Sequence, residues 1–480
     1  MPGRCLPTKS TGTSLSRWRT WTESIVGVTC SSSSATCRKS AEKRHNRRRF
    51  SRRFLRPRAR PTRQNSLLCG NSLPKSRTVG FLSSRPSGDN HTEDITMGVD
   101  RFDGKEIEYL QEALHSGRLS GQPSGFLGKL EKAFREAFDV QYAVAANSAM
   151  SLLISSMYAA RAGAGDEVLC DPLVQFHAIA ALWQNAHPTW ADVREDTWLM
   201  DPESARQNIT PQTKAICATH LWGLPAEVDT LRKIADENNV VLIEDCAHAM
   251  FLPYKGRFAG TWGHIGVFSF CSGKHMTCGD GGIALTNDEE LATRIRSVTC
   301  FGESPPELAT VFRMTEMQAA IALAQLENVK GYIDEYRKSY SMLSDAISGC
   351  DWLQPRATRD GCGNSPYIFS FLFRGERAGV ELEDFKQALF DTDALFNIGF
   401  TQVPAYKYKL FKQPMAYQSK GCPLHNCPYY EGRYEYRDGL CPTAEGLLPR
   451  LINTNCMISE ENAKRIADSL TAAIEKVDGR

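Results

Sequence analysis

From residue 129 onward the chain alternates stretches of helical apolar spacing with short continuous apolar runs that end in polar or glycine-containing turns. That alternation predicts an α/β domain built on a largely parallel sheet. Seven runs read as strands: YAVAANS, EVLCDP, PTWADV, TKAICATHL, VVLIEDCAHA, GVFSFC and GGIALTN. Between them KLEKAFREAF, AIAALWQNA and PAEVDTLRKIADENN carry a helical period, and AMSLLISSMYAARAGA, apolar on every side, reads as a buried helix. A long helical stretch from Thr315 to about Ile347 leads out of this domain. Beyond it the strand-like IFSFLF and the closing helix ENAKRIADSLTAAIEKV indicate a smaller α+β module. The expected organisation is a large domain over 97–345 and a small C-terminal domain over 346–480, without internal repeats.

Residues 1–96 do not share this pattern. They are rich in Ser, Arg, Pro and Thr, contain RRRFSRRFLRPRARPTR, and show no sustained period, so they read as a disordered basic leader. Composition changes abruptly at Met97, which favours an over-extended start; a transit peptide and a basic arm for anionic partners are the alternatives. The leader holds 20 Lys/Arg against 5 Asp/Glu and the remainder 37 against 50, so an overall charge of +2 conceals an acidic body. Such a body gives no reason to expect nucleic-acid binding. No apolar run approaches the roughly 20 residues of a membrane span. The 16 Cys are scattered, and several sit in strand-like runs, as reduced thiols do in a cytoplasmic protein. Cys422, Cys427 and Cys441 fit no common zinc spacing, and no metal site is expected.

Candidate chemistry concentrates at three strand ends. In FSFCSGKHMTCGDGGIALTND, Lys274 follows an apolar strand and precedes Gly279, Gly281 and Gly282, where backbone can approach a bound group closely. A partly desolvated amine there could act as a nucleophile; a solvated hairpin lysine is the ordinary alternative. In VVLIEDCAHA, Asp245 ends an apolar strand, the position where parallel sheets hold ligands. It could hold a protonated ring nitrogen, with His248 reaching the same ring, or it could simply cap the following turn beside a core histidine. In NSAMSLL the amides of Ser148, Ala149, Met150 and Ser151 open a helix and could cradle a phosphate, with the Ser269 hydroxyl nearby. Ordinary N-capping explains the same residues.

Taken together and in this order, these segments resemble the DegT/DnrJ/EryC1/StrS family of pyridoxal 5′-phosphate (PLP) dependent aminotransferases. The likeness runs from about Gly117 to the C-terminus and includes DVREDTWLMDPE, ITPQTKAICATHLWGLPAEVDTLRKIA, FRMTEMQAAIALAQLENV and CPTAEGLLPR. The resemblance implies a fold type I transferase, a homodimer with sites at its interface, and transfer of an amino group from glutamate or glutamine. The acceptor it implies is a nucleotide-linked keto sugar, with a keto-cyclitol of the inosose type as the alternative. Lys274 matches the Schiff-base lysine and Asp245 the partner of the pyridine nitrogen. His248 matches a cofactor-contacting Gln or His, Ser269 a phosphate-binding serine, and Phe176 or His177 a residue against the ring. Two positions depart from the family pattern. Ala149 and Met150 replace the Gly-Thr of a Ser-Gly-Thr phosphate turn, and Val311 stands where an Asn often precedes the Arg-Met pair, here Arg313 and Met314. Losing two neutral hydrogen bonds would weaken cofactor affinity by about 1–3 kcal/mol. A non-catalytic PLP-binding protein is therefore a rival reading, whereas sugar deoxygenation is disfavoured because Lys274 is present and His275 follows rather than replaces it. The segment 422–439 is the expected place for a substrate-specific loop.

Overall fold

The computed structural model describes residues 101–480 apart from 103, 301–307, 393, 399–402, 413–422, 425–426, 431–435 and 480. The basic leader, Met97 and Cys422 lie outside the described residues. All seven expected runs form strands of one sheet: β1 (Tyr142–Ala146), β2 (Glu167–Cys170), β3 (His187–Trp190), β4 (Thr213–Thr219), β5 (Val241–Asp245), β6 (Ile265–Ser269) and β7 (Gly282–Thr286). Their order is β1-β7-β6-β5-β4-β2-β3. Strands β2 to β6 pair in parallel, and only β7 runs against its neighbours β6 and β1. Every residue of β2, β3, β6 and β7 is buried, because helices cover both faces. Strands covered on both faces are continuous apolar runs rather than alternating ones.

The helices of this layer are α1 (Glu106–His115), α2 (Phe126–Phe138), α3 (Ala149–Ala159), α4 (Phe176–Trp183), α5 (Val228–Asn238) and α6 (Glu289–Thr299). Two end earlier than their apolar spacing suggests. The apolar run of α3 continues to Ala164, but the helix stops at Ala159 because Arg161 adopts a left-handed backbone with φ 62°. Asn185, with φ 59°, turns the chain just beyond α4. Helix α7 (Glu316–Ile347) begins with a capping box in which Thr315 and Gln318 satisfy each other's backbone N–H groups.

A second sheet follows, with β8 (Leu353–Pro355), β9 (Ile368–Phe373), β10 (Asn397–Ile398) and β11 (Leu451–Asn455) in the antiparallel order β8-β9-β11-β10. Helices α8 (Leu382–Asp391) and α9 (Glu460–Asp478) and the end of α7 pack on it around Leu343, Phe371, Phe385, Ile452 and Leu470. Each such side chain contributes about 1.5–3 kcal/mol on burial.

The segment that runs from β8 to β9 is pinned to the large sheet by a buried cation. The Arg356 guanidinium donates to the carbonyls of Thr197 (3.1 and 2.8 Å) and Leu221 (2.8 Å), and lies over the rings of Trp198 and Trp222. Those carbonyls immediately precede the two tryptophans, both of which hold left-handed backbone, φ 58° and 56°. Bulky residues in that region cost about 1–3 kcal/mol each and persist only where neighbours over-determine them. Arg356 supplies that constraint, and burial lowers its own pKa to about 10.

Candidate active site

The carboxyl ends of β1, β4, β5 and β6 meet on one edge of the large sheet, presenting Ala146, Thr219, Asp245 and Ser269. Asp245 is buried. Its Oδ1 accepts the Ala247 amide at 2.9 Å, and its Oδ2 lies 3.1 Å from His177 Nε2. The capping reading of Asp245 thus accounts for one carboxylate oxygen, and the other faces His177. His177 extends the network: its Nε2 is 3.1 Å from the Thr219 hydroxyl, which donates to Asp171 Oδ2 at 2.6 Å. His177 Nδ1 stands 3.8 Å from that same oxygen, beyond hydrogen-bond reach.

Electrostatics divide these groups. Burial pushes Asp245 up, but the hydrogen bond and charge of His177 and the Ala247 amide overcome it and hold the carboxyl down at about 2. Burial likewise opposes a charged His177, yet Asp245 and Asp171 raise its pKa above the ordinary value. Asp171 is raised, chiefly by burial. The result is an ionised carboxylate at the end of β5, backed by an imidazole and a second acid.

Lys274 sits in the turn between β6 and β7. Arg101 holds that turn by its main chain, donating to the carbonyls of Lys274 and, at 3.0 Å, Ser272. Lys274 Nζ lies 3.2 Å from the Tyr367 hydroxyl and 4.6 Å from the centre of its ring. The other face of this small group is His248, stacked on Tyr367 at 4.2 Å with planes 13° apart. Burial, then the Lys274 charge, holds His248 well below the usual imidazole range. Its Nδ1 accepts the Trp222 amide at 3.5 Å, so the neutral ring carries its proton on Nε2. The neighbouring His275 is a structural donor: burial lowers it to about 4, and Nε2 donates to the carbonyls of Ser365 (3.2 Å) and Pro366 (3.0 Å).

Helix α3 points its first turn toward the same edge. Ser151 does not offer its amide as expected, because Ser148 Oγ accepts it at 3.1 Å as the N-cap. The amides of Ala149 and Met150 have no intrahelical acceptor by position. Gly282, paired in register with Ser269, faces them: a Cβ there would stand 2.8 Å from the Ala149 nitrogen. Ser269 Oγ accepts the Cys271 amide at 3.4 Å, which leaves its proton to donate. Val311 is exposed and pairs with Cys300, while Arg313 pairs with Ala146.

Phe176 and His177 are placed differently from one another. Phe176 is half exposed at the start of α4, and His177 is buried with its edge committed to Asp245. Asp171, Thr219, Arg101 and Tyr367 are additions that sequence reading missed; only Asp171, a carboxylate ending a strand just as Asp245 does, carried a signal. Within 422–439, Tyr430 and Tyr436 lie at the opposite end of the sheet from Asp245. Tyr430 and Tyr436 stack on His187, and their hydroxyls reach Glu167 (2.6 Å) and the Pro188 carbonyl (2.9 Å), at the amino ends of β2 and β3. They brace the sheet there, whereas Asp438 pairs with Lys407 at 3.0 Å. His220, Glu244 and Cys246 also converge, but the Glu244 oxygens accept the amides of Gly260, Trp262 and Gly263, and His220 Nδ1 accepts that of Ala226. Their lone pairs serve the fold.

The model of the DegT/DnrJ/EryC1/StrS aminotransferase family matches residues 100–424. GDP-perosamine synthase of Escherichia coli O157:H7 is 32% identical over 321 residues, covering 65% of this chain and 87% of that protein. L-glutamine:2-deoxy-scyllo-inosose aminotransferase of Streptomyces kanamyceticus is 29% identical over 366 residues, covering 71% of this chain and 81% of that protein. Among solved structures, the aminotransferase from Psychrobacter cryohalolentis superimposes with a TM-score of 0.67 at 25% identity, covering 78% of this chain and 97% of that one.

Proposed function

The chain belongs to the DegT/DnrJ/EryC1/StrS aminotransferase family, and from that premise we propose that it holds PLP through Lys274 and moves an amino group from glutamate or glutamine to a keto sugar. It has the fold type I architecture of its relatives. The observation that carries the reading is the buried, ionised Asp245 on the sheet edge that also bears Ser269 and the Lys274 turn. These residues fit a phosphorylated pyridine aldehyde. Lys274 offers an amine, Asp245 a negative charge for a protonated ring nitrogen, and the Ala149 and Met150 amides, left without intrahelical acceptors at the start of α3, suit a phosphate. Ala149, Met150 and Ser269 would hold that phosphate, and His248 Nε2–H would donate to the ring's oxygen substituent.

When bound, the cofactor supplies an aldehyde for the donor's amine and a ring that accepts electrons as the Cα proton leaves. Lys274 anchors it and, once displaced by the donor amine, takes that proton and returns it. Asp245 keeps the ring nitrogen protonated; His177 fixes the carboxylate that does so. Between Phe176 and His177, Phe176 has the free ring face. The names of the relatives support a nucleotide-linked keto sugar first and a keto-cyclitol second. We propose a cytoplasmic homodimer; among the described residues no helix is long and apolar enough to cross a membrane.

Lys274→Ala is expected to abolish turnover and the covalent cofactor absorbance. Normal activity in that variant would refute the assignment. Incubating the protein with PLP, glutamate or glutamine and a panel of keto sugars and keto-cyclitols, with product identification, selects the acceptor. Spectral binding of PLP without amino transfer to any of them would favour the non-catalytic alternative.

A further inference from the structure

We propose that Tyr367 orients the Lys274 amine, and that it does so from the small-domain side of the molecule. This rests on the reading of Lys274 as the cofactor lysine. The two residues are 93 positions apart, and the hydroxyl of one stands 3.2 Å from the amine of the other. An unrestrained lysine side chain samples many rotamers, and ordering one carries an entropic cost. Tyr367 removes that freedom twice over, by the hydroxyl and by the ring face 4.6 Å beneath Nζ.

Tyr367 can do this because its own place is fixed. Ser365, two residues earlier, donates its hydroxyl to the Met250 carbonyl (2.6 Å) and its amide to the Gly223 carbonyl (3.0 Å), and accepts from His275 at its own carbonyl. Gly223 is required for the approach: its φ is +83°, and a Cβ there would stand 1.7 Å from the Ser365 carbonyl oxygen. His275, the residue after Lys274, grips the carbonyls on either side of the Ser365–Pro366 junction. Main chain and side chain of the lysine are therefore both held, the first by Arg101 and the second by Tyr367. Tyr367 also stacks on His248, so one ring contacts both groups.

The role is positioning toward attachment, in which the Lys274 nitrogen adds to the aldehyde carbon and the carbonyl oxygen departs as water with both protons of the amine. The test uses the full chain stripped of cofactor. PLP is added, capture is followed by absorbance, and the product is fixed with borohydride and located by peptide mapping. Tyr367→Phe keeps the ring and its stack on His248 and removes only the hydroxyl. Capture on Lys274 should slow about tenfold, as loss of one hydrogen bond that orients the amine implies, with an unchanged melting temperature. In turnover, kcat should fall while KM for the keto acceptor holds. If the variant melts lower, rates are compared at a temperature where both proteins are folded by circular dichroism. Capture on Lys274 at the wild-type rate overturns the inference. Label on a different lysine in the wild-type protein instead overturns the assignment of Lys274 itself.

Discussion

At the level of single residues, the site depends on a buried cluster whose charges constrain one another. Asp245 is held down at about 2, so its contribution to stability is present above its ordinary value of 3.8 and is lost as pH falls toward 2. His177 is raised, so its contribution is complete below its ordinary value of 6.5 and is lost as pH rises through the raised value. Between those limits the pair contributes fully. Urea midpoints measured across pH should show a plateau there with a fall on either side, and His177→Asn should flatten both flanks. A wild-type profile in that variant would mean His177 bears no charge. Arg101→Ala should lower the affinity for PLP several-fold without changing the residue that captures it, since it frees two carbonyls of the Lys274 turn; equilibrium titration measures this. Lys274 and Asp245 could be read from sequence because each stands beside its own strand. Arg101 and Tyr367 could not: they lie 173 and 93 positions from Lys274, and contacts across such spans leave no local pattern.

Among the elements, helix α3 combines family likeness with departure. Its first turn offers two amides, but Met150 cannot add the hydroxyl that the family's Thr would contribute. Met150→Thr should therefore tighten PLP binding by about 1 kcal/mol, close to the worth of one neutral hydrogen bond. Gly282→Ala should weaken it by at least tenfold, since the new Cβ sits 2.8 Å from the Ala149 nitrogen. Both are read by fluorescence titration of the stripped protein; an unchanged affinity in each would remove the phosphate from this turn. Most strands of the large sheet were legible because burial on both faces makes them largely apolar runs; β3, HPTW, was legible from its place between turn-forming residues. Helix ends were less so. Arg161 and Asn185 stop α3 and α4 by left-handed backbone, which an Asn can signal but an Arg does not. Likewise nothing local in 422–439 marks Tyr430 and Tyr436 as a brace for His187.

Across the whole molecule, the described surface carries large apolar side chains that a folded monomer has little reason to expose. Ile107 and Leu114, seven residues apart on α1, are 65% and 50% exposed, and Phe176 and Trp183, also seven apart, line α4 at 50% and 64%. Side chains at that spacing share a helix face. They support the proposed homodimer, and light scattering should return twice the 53.5 kDa chain mass; replacing Phe176 and Trp183 with Ser should shift that mass toward one chain.

The two margins of the large sheet decide what form such an association can take. At β1, Glu131 accepts the Ala145 amide and Arg296 donates to the Ala143 carbonyl, each at 3.0 Å, and the two side chains pair with each other. They occupy one donor and one acceptor that a further strand would need. At β3, the far margin, Tyr430 and Tyr436 lie across the opening residues. With both borders partly covered, the sheet is a poor template for its own extension, which favours closed contacts between helices over open-ended strand polymers when copies of this chain meet in a crowded cell.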